Sequence, residues 1–391
     1  MSKRQPVMKD KRSIFARRKI IISINTSWNI INFRAGLVIA LLRQGHEVVA
    51  ISPSDRYVSR LEEMGCRHIP ISMDNDGTNP VKDVGLLWRY FEIMRVEKPD
   101  IFLGWTIKPN IYGSLAARFL GVRTINNISG LGRTFLGDGW LRRIVKILYR
   151  VALGRSSRIF FQNDHDLDLF VSSRLVRADQ ASLLPGSGVD LDRFSPTAVA
   201  RDAEGKERNF LFVGRMLWDK GVREYVEAAR IVQSAVPNSS FKLLGSTDGQ
   251  GRNAVPRSML KAWEQEGLIE YIEHADDVRQ HIGRADCIVL PSYYPEGTPR
   301  SLLEAAAMGK PLITTDMPGC RRVVDDGDNG WLCRSKDIQD LAEKMLLVTG
   351  ASNQQLAAMG RRSRLKAERE FDERIVVDAY LTAVDVALAP G

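Results

Sequence analysis

The chain has 391 residues, 44% of them hydrophobic and 26% charged, and carries a net charge of +9. Single hydrophobic cores stop growing at roughly 250–300 residues, so two domains are expected. The ordinary charged fraction, with no low-complexity tract and no repeat at a fixed period, excludes disordered, fibrous and solenoid classes.

Residues 1–19 hold eight Lys or Arg against one Asp, so the remaining body is nearly balanced. This stretch reads as a basic N-terminal tail, either solvated or anchored to an anionic membrane surface. The following IIISINTSWNIINF is broken by Ser and Asn and lacks a small-residue cleavage site, so the segment is expected to be retained. No run of about 18 apolar residues occurs. The expected location is cytoplasmic, and peripheral on the inner face of the cytoplasmic membrane if the tail acts as an anchor.

From residue 20, short β-branched runs (KIIISIN, EVVAIS, RHIPIS, DIFLGW, RTINNI, RIFFQN) alternate with the helical patterns RAGLVIALLRQG, DVGLLWRYFEIMRVEKP and PNIYGSLAARFLG. Continuous apolar strands between helices predict a parallel sheet covered on both faces. The rhythm spans 20–185 and breaks over 186–208, a linker rich in Gly, Pro, Asp and Ser. It restarts with FLFVGR, FKLLGS, IEYIEH, CIVLPSYY, PLITTD and GWLC, giving a second domain over 209–375, and YLTAVDVALA lies in a C-terminal helix, 376–391. The fold class is α/β, with two tandem Rossmann-like, doubly wound parallel-sheet domains facing an interdomain cleft. Ligands of such sheets bind outside the carboxyl ends of the strands.

Several chemistries lack their marks. No G-x-G-x-x-G follows the first strand, GLGRTF at 130–135 lacks the third glycine, and no G-x-x-x-x-G-K-[ST] is present. Cys66, Cys287, Cys320 and Cys333 form no C-x-x-C pair and read as buried free thiols. His46 precedes a strand and reads as structural. D-x-D triplets at 74–76, 164–166, 166–168, 190–192 and 326–328 are scattered through loops and caps, and no metal site is assigned to them.

Two segments point to diphosphate chemistry. In PSYYPEGTPRSLLEAAAMGKP, residues 291–311, Thr298 is the expected N-cap of a helix with Pro299 in first position and Gly309 at its stop. Gly297 would let a ligand approach the backbone, and the open amides of the first turn, with about half a positive charge, suit a phosphate. Glu296 and Glu304 could each accept hydrogen bonds from hydroxyls flanking it. In FVGRMLWDKG, residues 212–221, Arg215 and Lys220 follow a strand and supply two cations, which with a helix end roughly balance a nucleotide-sugar diphosphate without a metal.

EGTPRSLLEA, FVGRMLWDKGV, PGSGVDLDRFSP and MPGCRRVVDDGDNGWLC together resemble the retaining GT-B glycosyltransferases of glycosyltransferase family 4, over nearly the whole chain. RMLWDKGVREY, NISGLG and TIKPNIYGSLAAR are similar to members that add an N-acetylhexosamine to a sugar on polyprenyl diphosphate. The resemblance implies that Arg215 and Lys220 contact the donor diphosphate, Glu304 the ribose and Glu296 the transferred sugar. Gly297, Thr298, Pro299 and Ser301 would complete the donor site, with Glu296, Arg215 and Lys220 as the catalytic set. It implies a first domain on the acceptor side, a UDP-linked donor, no cofactor and no metal. It also implies retention, with a phosphate oxygen accepting the acceptor's proton.

The chain departs from relatives in having no Gly-rich loop in NTSWNIINFRAG, where Arg34 becomes the acceptor candidate. It has no His in GWTIKPN, where Lys108 and Asn110 stand instead. EHADD at 273–277 lacks the glycine and basic residue that often serve base recognition.

GWLRRIVKILYRVALGRSSR, residues 139–158, has six basic residues and no acid. Trp140, Leu141, Ile144, Val145, Leu148 and Val151 form an apolar stripe at helical spacing. Either that stripe enters the core, or the helix lies on anionic lipid with Trp140, Arg142, Arg143, Lys146 and Arg150 as contacts. No nucleic-acid-binding module is present. A nucleotide-sugar epimerase of the same architecture and a catalytically silent sugar-binding partner remain as other readings.

Overall fold

The computed structural model describes residues 17–74, 79–131, 139–196, 208–247, 253–275 and 277–389. Seven strands form the first sheet: β1 Lys19–Ser23, β2 Glu47–Ser52, β3 Arg67–Pro70, β4 Ile101–Trp105, β5 Arg123–Ile128, β6 Arg158–Phe161 and β7 Ala181–Leu183. Six form the second: β8 Asn209–Val213, β9 Ser240–Leu244, β10 Glu270–Ile272, β11 Cys287–Leu290, β12 Leu312–Thr315 and β13 Gly330–Cys333. The orders are β3-β2-β1-β4-β5-β6-β7 and β10-β9-β8-β11-β12-β13. Strands such as Ile20–Ile22 and Ile288–Leu290 are buried residue after residue because helices cover both faces of each sheet. Every strand expected from the sequence is present, and β7, too short to carry a period, is additional.

The helices start and stop on local chemistry. Asn79 caps Pro80–Glu97 by accepting from Val81 N at 3.0 Å, Pro80 fills the first position, and Lys98 ends it in the left-handed region just before Pro99. Thr26 caps Ser27–Phe33, a helix that the polar SWNIINF pattern hides.

The two domains exchange their ends. Val189, in the linker, takes a bridge to Asp372: its N–H reaches Phe371 O at 2.7 Å and its carbonyl accepts from Glu373 N at 3.0 Å. Helix Glu373–Leu388 then crosses back and lays Val376, Tyr380, Val384 and Ala387 into the core of the first domain beside Ile20, Leu103 and Phe160. Tyr380 packs 4.8 Å from Phe160 and 5.4 Å from Trp105, ring centre to centre. The expected C-terminal helix is present, but it completes the first domain although it follows the second. At the other end, residues 1–16 of the basic tail lie outside the described residues. Arg18 and Lys19, counted with the tail in the sequence, belong to the body: Arg18 pairs with Asp100 at 3.1 Å, and Lys19 opens β1 and pairs with Glu97 at 3.1 Å.

Candidate active site

In each sheet the chain order reverses between two central neighbours, β1 and β4 in the first, β8 and β11 in the second. The crevice at such a switch point is where open parallel sheets take ligands. The loop after β8 carries Arg215 and Lys220, and the loop after β11 carries Ser292 and Glu296. Their adjacency follows from the strand order.

Backbone contacts make it close. Asp219 O accepts from Tyr293 N and Tyr294 N, both at 2.9 Å, so the 3-10 turn Trp218–Lys220 is stitched to the loop after β11. Gly221 ends the turn at φ 80°, and a Cβ there would stand 2.2 Å from Pro291 O, so this position requires glycine twice over. Lys220 Nζ consequently lies 2.6 Å from Glu296 Oε2, with both side chains 13% exposed. Ser292 Oγ donates to Glu296 Oε1 at 2.7 Å, fixing the carboxylate from its other edge. The ammonium also sits 5.8 Å from the Tyr294 ring centre. Ser292 was not singled out in the sequence, where only its place four residues before Glu296 marks it. Arg215, two residues beyond β8, is exposed, and among the described residues nothing pairs with its guanidinium.

Helix Arg300–Ala307 begins one residue later than the sequence suggests. Pro299, extended at ψ 122°, is its N-cap, and Gly309 follows its end at φ 68°. Thr298 does not cap it: its hydroxyl donates to Gln162 O at 3.0 Å, and the side chain is buried between the domains. Leu302 and Leu303 return their amides to Pro299 O, while among the described residues the amides of Arg300 and half-buried Ser301 have no acceptor. Glu304 Oε1 accepts from Arg300 Nε at 2.9 Å, and Arg300 reaches on to Ser187 Oγ at 3.3 Å. Burial raises the Glu304 carboxyl above its usual range, and the Arg300 guanidinium draws it partly back. Arg300 was missed in the sequence, although its i,i+4 spacing from Glu304 is a signal.

Gly297 is glycine for a reason other than ligand approach. A Cβ there would stand 2.3 Å from Gln162 Oε1 and 2.8 Å from Ser129 O, both in the first domain. The loop is docked on the carboxyl ends of β5 and β6, and Gly297 is where the two backbones meet.

The acceptor-side candidates divide. Asn110 is fully buried, donating to Asn127 O at 2.8 Å and accepting from Asn126 Nδ2 at 2.9 Å, so its amide satisfies the interior of the first domain and it is not a ligand contact. Lys108 Nζ is held by Asp83 at 2.7 Å, tying the turn after β4 to helix Pro80–Glu97. Arg34 is buried, with its guanidinium 5.3 Å from the Trp105 ring centre, and burial lowers its pKa. Its Nε, Trp105 Nε1, Asn127 Nδ2 and the Tyr380 hydroxyl form a buried polar group, in which the Tyr380 hydroxyl faces Asn127 and Trp105. His46 is buried, and desolvation lowers its pKa.

The D-x-D acids serve local structure. Asp166 accepts from Asn163 Nδ2 at 3.0 Å, Asp190 Oδ1 accepts from Asp192 N at 3.0 Å, and Asp326 Oδ1 accepts from Leu332 N at 2.8 Å. Residues 75 and 76 lie outside the described residues. Among the described residues no three His, Cys, Asp or Glu side chains cluster as metal ligands. All four cysteines are buried and free, and burial pushes the Cys66, Cys320 and Cys333 thiols up to about 12.

Helix Trp140–Leu153 sends Val145, Tyr149, Ala152 and Leu153 into the core. Ile144, Ile147 and Val151 stay on the surface, so the expected single stripe is split: the turn of the helix puts Ile144 and Val151 outside. Arg143 is exposed, and Arg142 and Lys146 are half-buried. Arg150 is occupied structurally, donating to Ser173 O and Arg174 O at the end of helix Asp164–Ser172. The side chains of Trp140 and Leu141 lie outside the described residues. No helix among the described residues is long and apolar enough to cross a membrane.

A two-domain α/β cleft with an acid and cations at its switch point suits a glycosyltransferase, and the family matches show that class. Residues 32–186 match the glycosyl transferase 4-like domain, and residues 198–365 match the glycosyl transferases group 1 model. The protein belongs to this glycosyltransferase family, with both of its GT-B halves present. Among similar proteins is the N,N'-diacetylbacillosaminyl-diphospho-undecaprenol alpha-1,3-N-acetylgalactosaminyltransferase of Campylobacter jejuni, 25% identical over 91% of this chain and 96% of its own. The UDP-Gal:alpha-D-GlcNAc-diphosphoundecaprenol alpha-1,3-galactosyltransferase of Escherichia coli is 26% identical over 78% of this chain and 81% of its own. The structure of Anabaena HepE in complex with UDP-glucose superposes with a TM-score of 0.75 at 16% identity, over 95% of this chain and 100% of that one.

Proposed function

We propose that the protein moves an N-acetylhexosamine from a UDP-linked donor to a saccharide carried on polyprenyl diphosphate, with retention and without a metal, in the assembly of a surface glycan. The observation that carries this reading is the Lys220–Glu296 pair, clamped by Ser292 at the switch point of the second sheet. In this reading the diphosphate takes Lys220, Arg215 and the open amides of Arg300 and Ser301. Glu304 accepts from the ribose hydroxyls, and Glu296, released from part of its ion pair, accepts from the transferred sugar. The bond from the anomeric carbon to the leaving phosphate oxygen breaks as the acceptor oxygen bonds to the same face. The acceptor's proton passes to a phosphate oxygen, so no protein base is required. Lys220 and Arg215 then stabilise the charge gathering on the leaving diphosphate.

The acceptor class is supported by the relatives that act on diphospho-undecaprenol sugars and by a surface suited to lipid. Ile144, Ile147 and Val151 face outward beside Arg143. On helix Pro80–Glu97, Val81, Val84 and Trp88 repeat the same spacing outward, and exposed Phe119 ends helix Ser114–Phe119, packed between the two. Helices that follow parallel strands begin at the strands' carboxyl ends, so both ridges start at the cleft rim. An apolar ridge edged with cations suits an anionic membrane face, each cation contributing about 1 kcal/mol near such a surface.

The test is a transfer assay with UDP-N-acetylgalactosamine and a polyprenyl-diphosphate-linked N-acetylhexosamine, run with saturating chelator, the product's anomeric configuration being read by NMR. Turnover intact in chelator with an α product is expected from an α-linked donor. Activity lost in chelator and restored by manganese rejects metal independence, and a β product rejects retention. Donor consumption yielding a free epimer rejects transfer.

A further inference from the structure

The loop proposed to hold the transferred sugar belongs to the second domain, yet it is fixed largely by the first. Gly297 N donates to Ser129 O at 3.2 Å, and Glu296 takes an antiparallel bridge with Gly130. Asn163 Nδ2 donates to Glu296 O at 3.2 Å. Gln162 Oε1 accepts from Thr298 N at 3.3 Å, and Gln162 O accepts from both Thr298 Oγ1 at 3.0 Å and Arg322 Nη1 at 2.7 Å. Each residue of Glu296–Gly297–Thr298 is thus bonded to the end of β5 or β6. The surfaces are cut to fit from both sides: a Cβ on Gly130 would stand 2.8 Å from Pro295 O.

The Gln162 amide has no freedom to turn. Its oxygen is engaged by Thr298 N, and its nitrogen donates to Asn127 Oδ1 at 3.1 Å. Gln162, Asn163, Asn127 and Thr298 are all buried, where an unmade hydrogen bond is costly. Asn127 leads on to the buried polar group of Trp105, Tyr380 and Arg34 at the switch point of the first sheet.

We propose that Gln162 and Asn163 are positioning residues: from the acceptor-side domain they set the backbone that aims the Glu296 carboxylate. This rests on the transferase reading above. Neither residue touches the nucleotide end of the site, which Lys220, Arg215 and Glu304 would hold. Loss of their contacts should therefore lower turnover without weakening nucleotide affinity.

The experiment uses the full chain carrying Gln162→Met, Gln162→Glu or Asn163→Ser. Met matches the shape of Gln162 without either bond. Glu, when protonated, can accept from Thr298 N and donate to Asn127 Oδ1, and when ionised it loses the donor. Ser at 163 keeps a cap for helix Asp164–Ser172 and removes the amide donor to Glu296 O. UDP affinity is read by calorimetry, and turnover with UDP-N-acetylgalactosamine and the lipid-linked acceptor across pH 5.5–8.5. Gln162→Met and Asn163→Ser are expected to lower kcat at least tenfold with UDP affinity unchanged or up to a few-fold tighter than in the unmodified protein. Gln162→Glu is expected to regain activity toward low pH, a limb that the unmodified protein lacks. Turnover of Gln162→Met within twofold of the unmodified protein overturns the proposal. So does a parallel loss of UDP affinity and turnover, or a Gln162→Glu pH profile like that of the unmodified protein. If the unmodified protein transfers nothing but binds UDP, the transferase reading fails separately.

Discussion

Glu296 Oε2 accepts Lys220 Nζ at 2.6 Å while its other oxygen takes the Ser292 hydroxyl, so this acid at the mouth of the second sheet is held from two directions by residues on two loops. A diphosphate bound there, as proposed, would compete with Glu296 for the ammonium. The pair keeps a cation in the cleft in a fixed place, and binding would exchange one anionic partner for another.

Lys220→Ala is expected to weaken UDP binding about 30- to 100-fold, roughly 2–3 kcal/mol. The gross attraction of one cation for one phosphate charge at 4 Å is about 4 kcal/mol at an effective dielectric of 20, and surrender of Glu296 offsets part of it. Adding Arg215→Ala should abolish measurable binding while the circular dichroism spectrum stays unchanged, because Arg215 is exposed. Calorimetric titration with UDP checks both, and unchanged affinity in the double variant would exclude the diphosphate role.

Glu296→Gln separates charge from shape. The amide oxygen can still accept from Ser292, but Lys220 loses its counter-ion, so UDP should bind a few-fold more tightly while turnover drops about a hundredfold. A variant that loses both would mean that Glu296 is a scaffold for the loop.

Asp166 gives a pH signature. Burial raises its carboxyl from 3.8 to about 6, against the opposing pull of Asn163 and His165. The folded protein therefore holds this proton more tightly than the unfolded chain. The stability contribution is fully present below pH 3.8 and is lost as pH rises to about 6. Asp166→Asn should raise the thermal midpoint of the first domain by several degrees at pH 8 and leave it unchanged near pH 4. Scanning calorimetry at the two pH values reads this directly.

Ile147→Asp combined with Val84→Asp places charge on both exposed ridges. Binding to vesicles containing anionic phospholipid should fall at least tenfold, with no change in thermal midpoint because 61% and 67% of these residues is exposed. Arg143→Glu should lower binding further and flatten its dependence on salt. Equal sedimentation of all variants with vesicles would assign the ridges to another partner.

The alternation of apolar strands and helices was legible in the sequence because both faces of a parallel sheet are covered, which writes unbroken β-branched runs such as Ile20–Ile22. That Lys220 and Glu296 meet in the cleft was legible because both follow strands that are neighbours at the switch point of the sheet. Other features were not. Asn110 looked available in GWTIKPN, but its amide is spent on Asn127 and Asn126 inside the domain. Thr298 resembled a cap, and Gly297 a ligand-facing glycine, because local sequence does not record that the first domain presses against them. RIFFQN showed a strand and nothing more. That its last two residues reach across the cleft is set by the meeting of two domains, which no short window of residues encodes.

The returning helix Glu373–Leu388 has a consequence for how the molecule is made. Val376, Tyr380 and Val384 are buried in the first domain, and at ~1.5–3 kcal/mol per fully buried side chain they supply roughly 5–9 kcal/mol, comparable to the whole net stability of a domain. Those residues are synthesised after the whole second domain. The half synthesised first must therefore wait, with the groove around Leu103 and Phe160 uncovered, until the second half has been made. The half synthesised second has its sheet in hand earlier, reversing the usual order in which nascent domains mature.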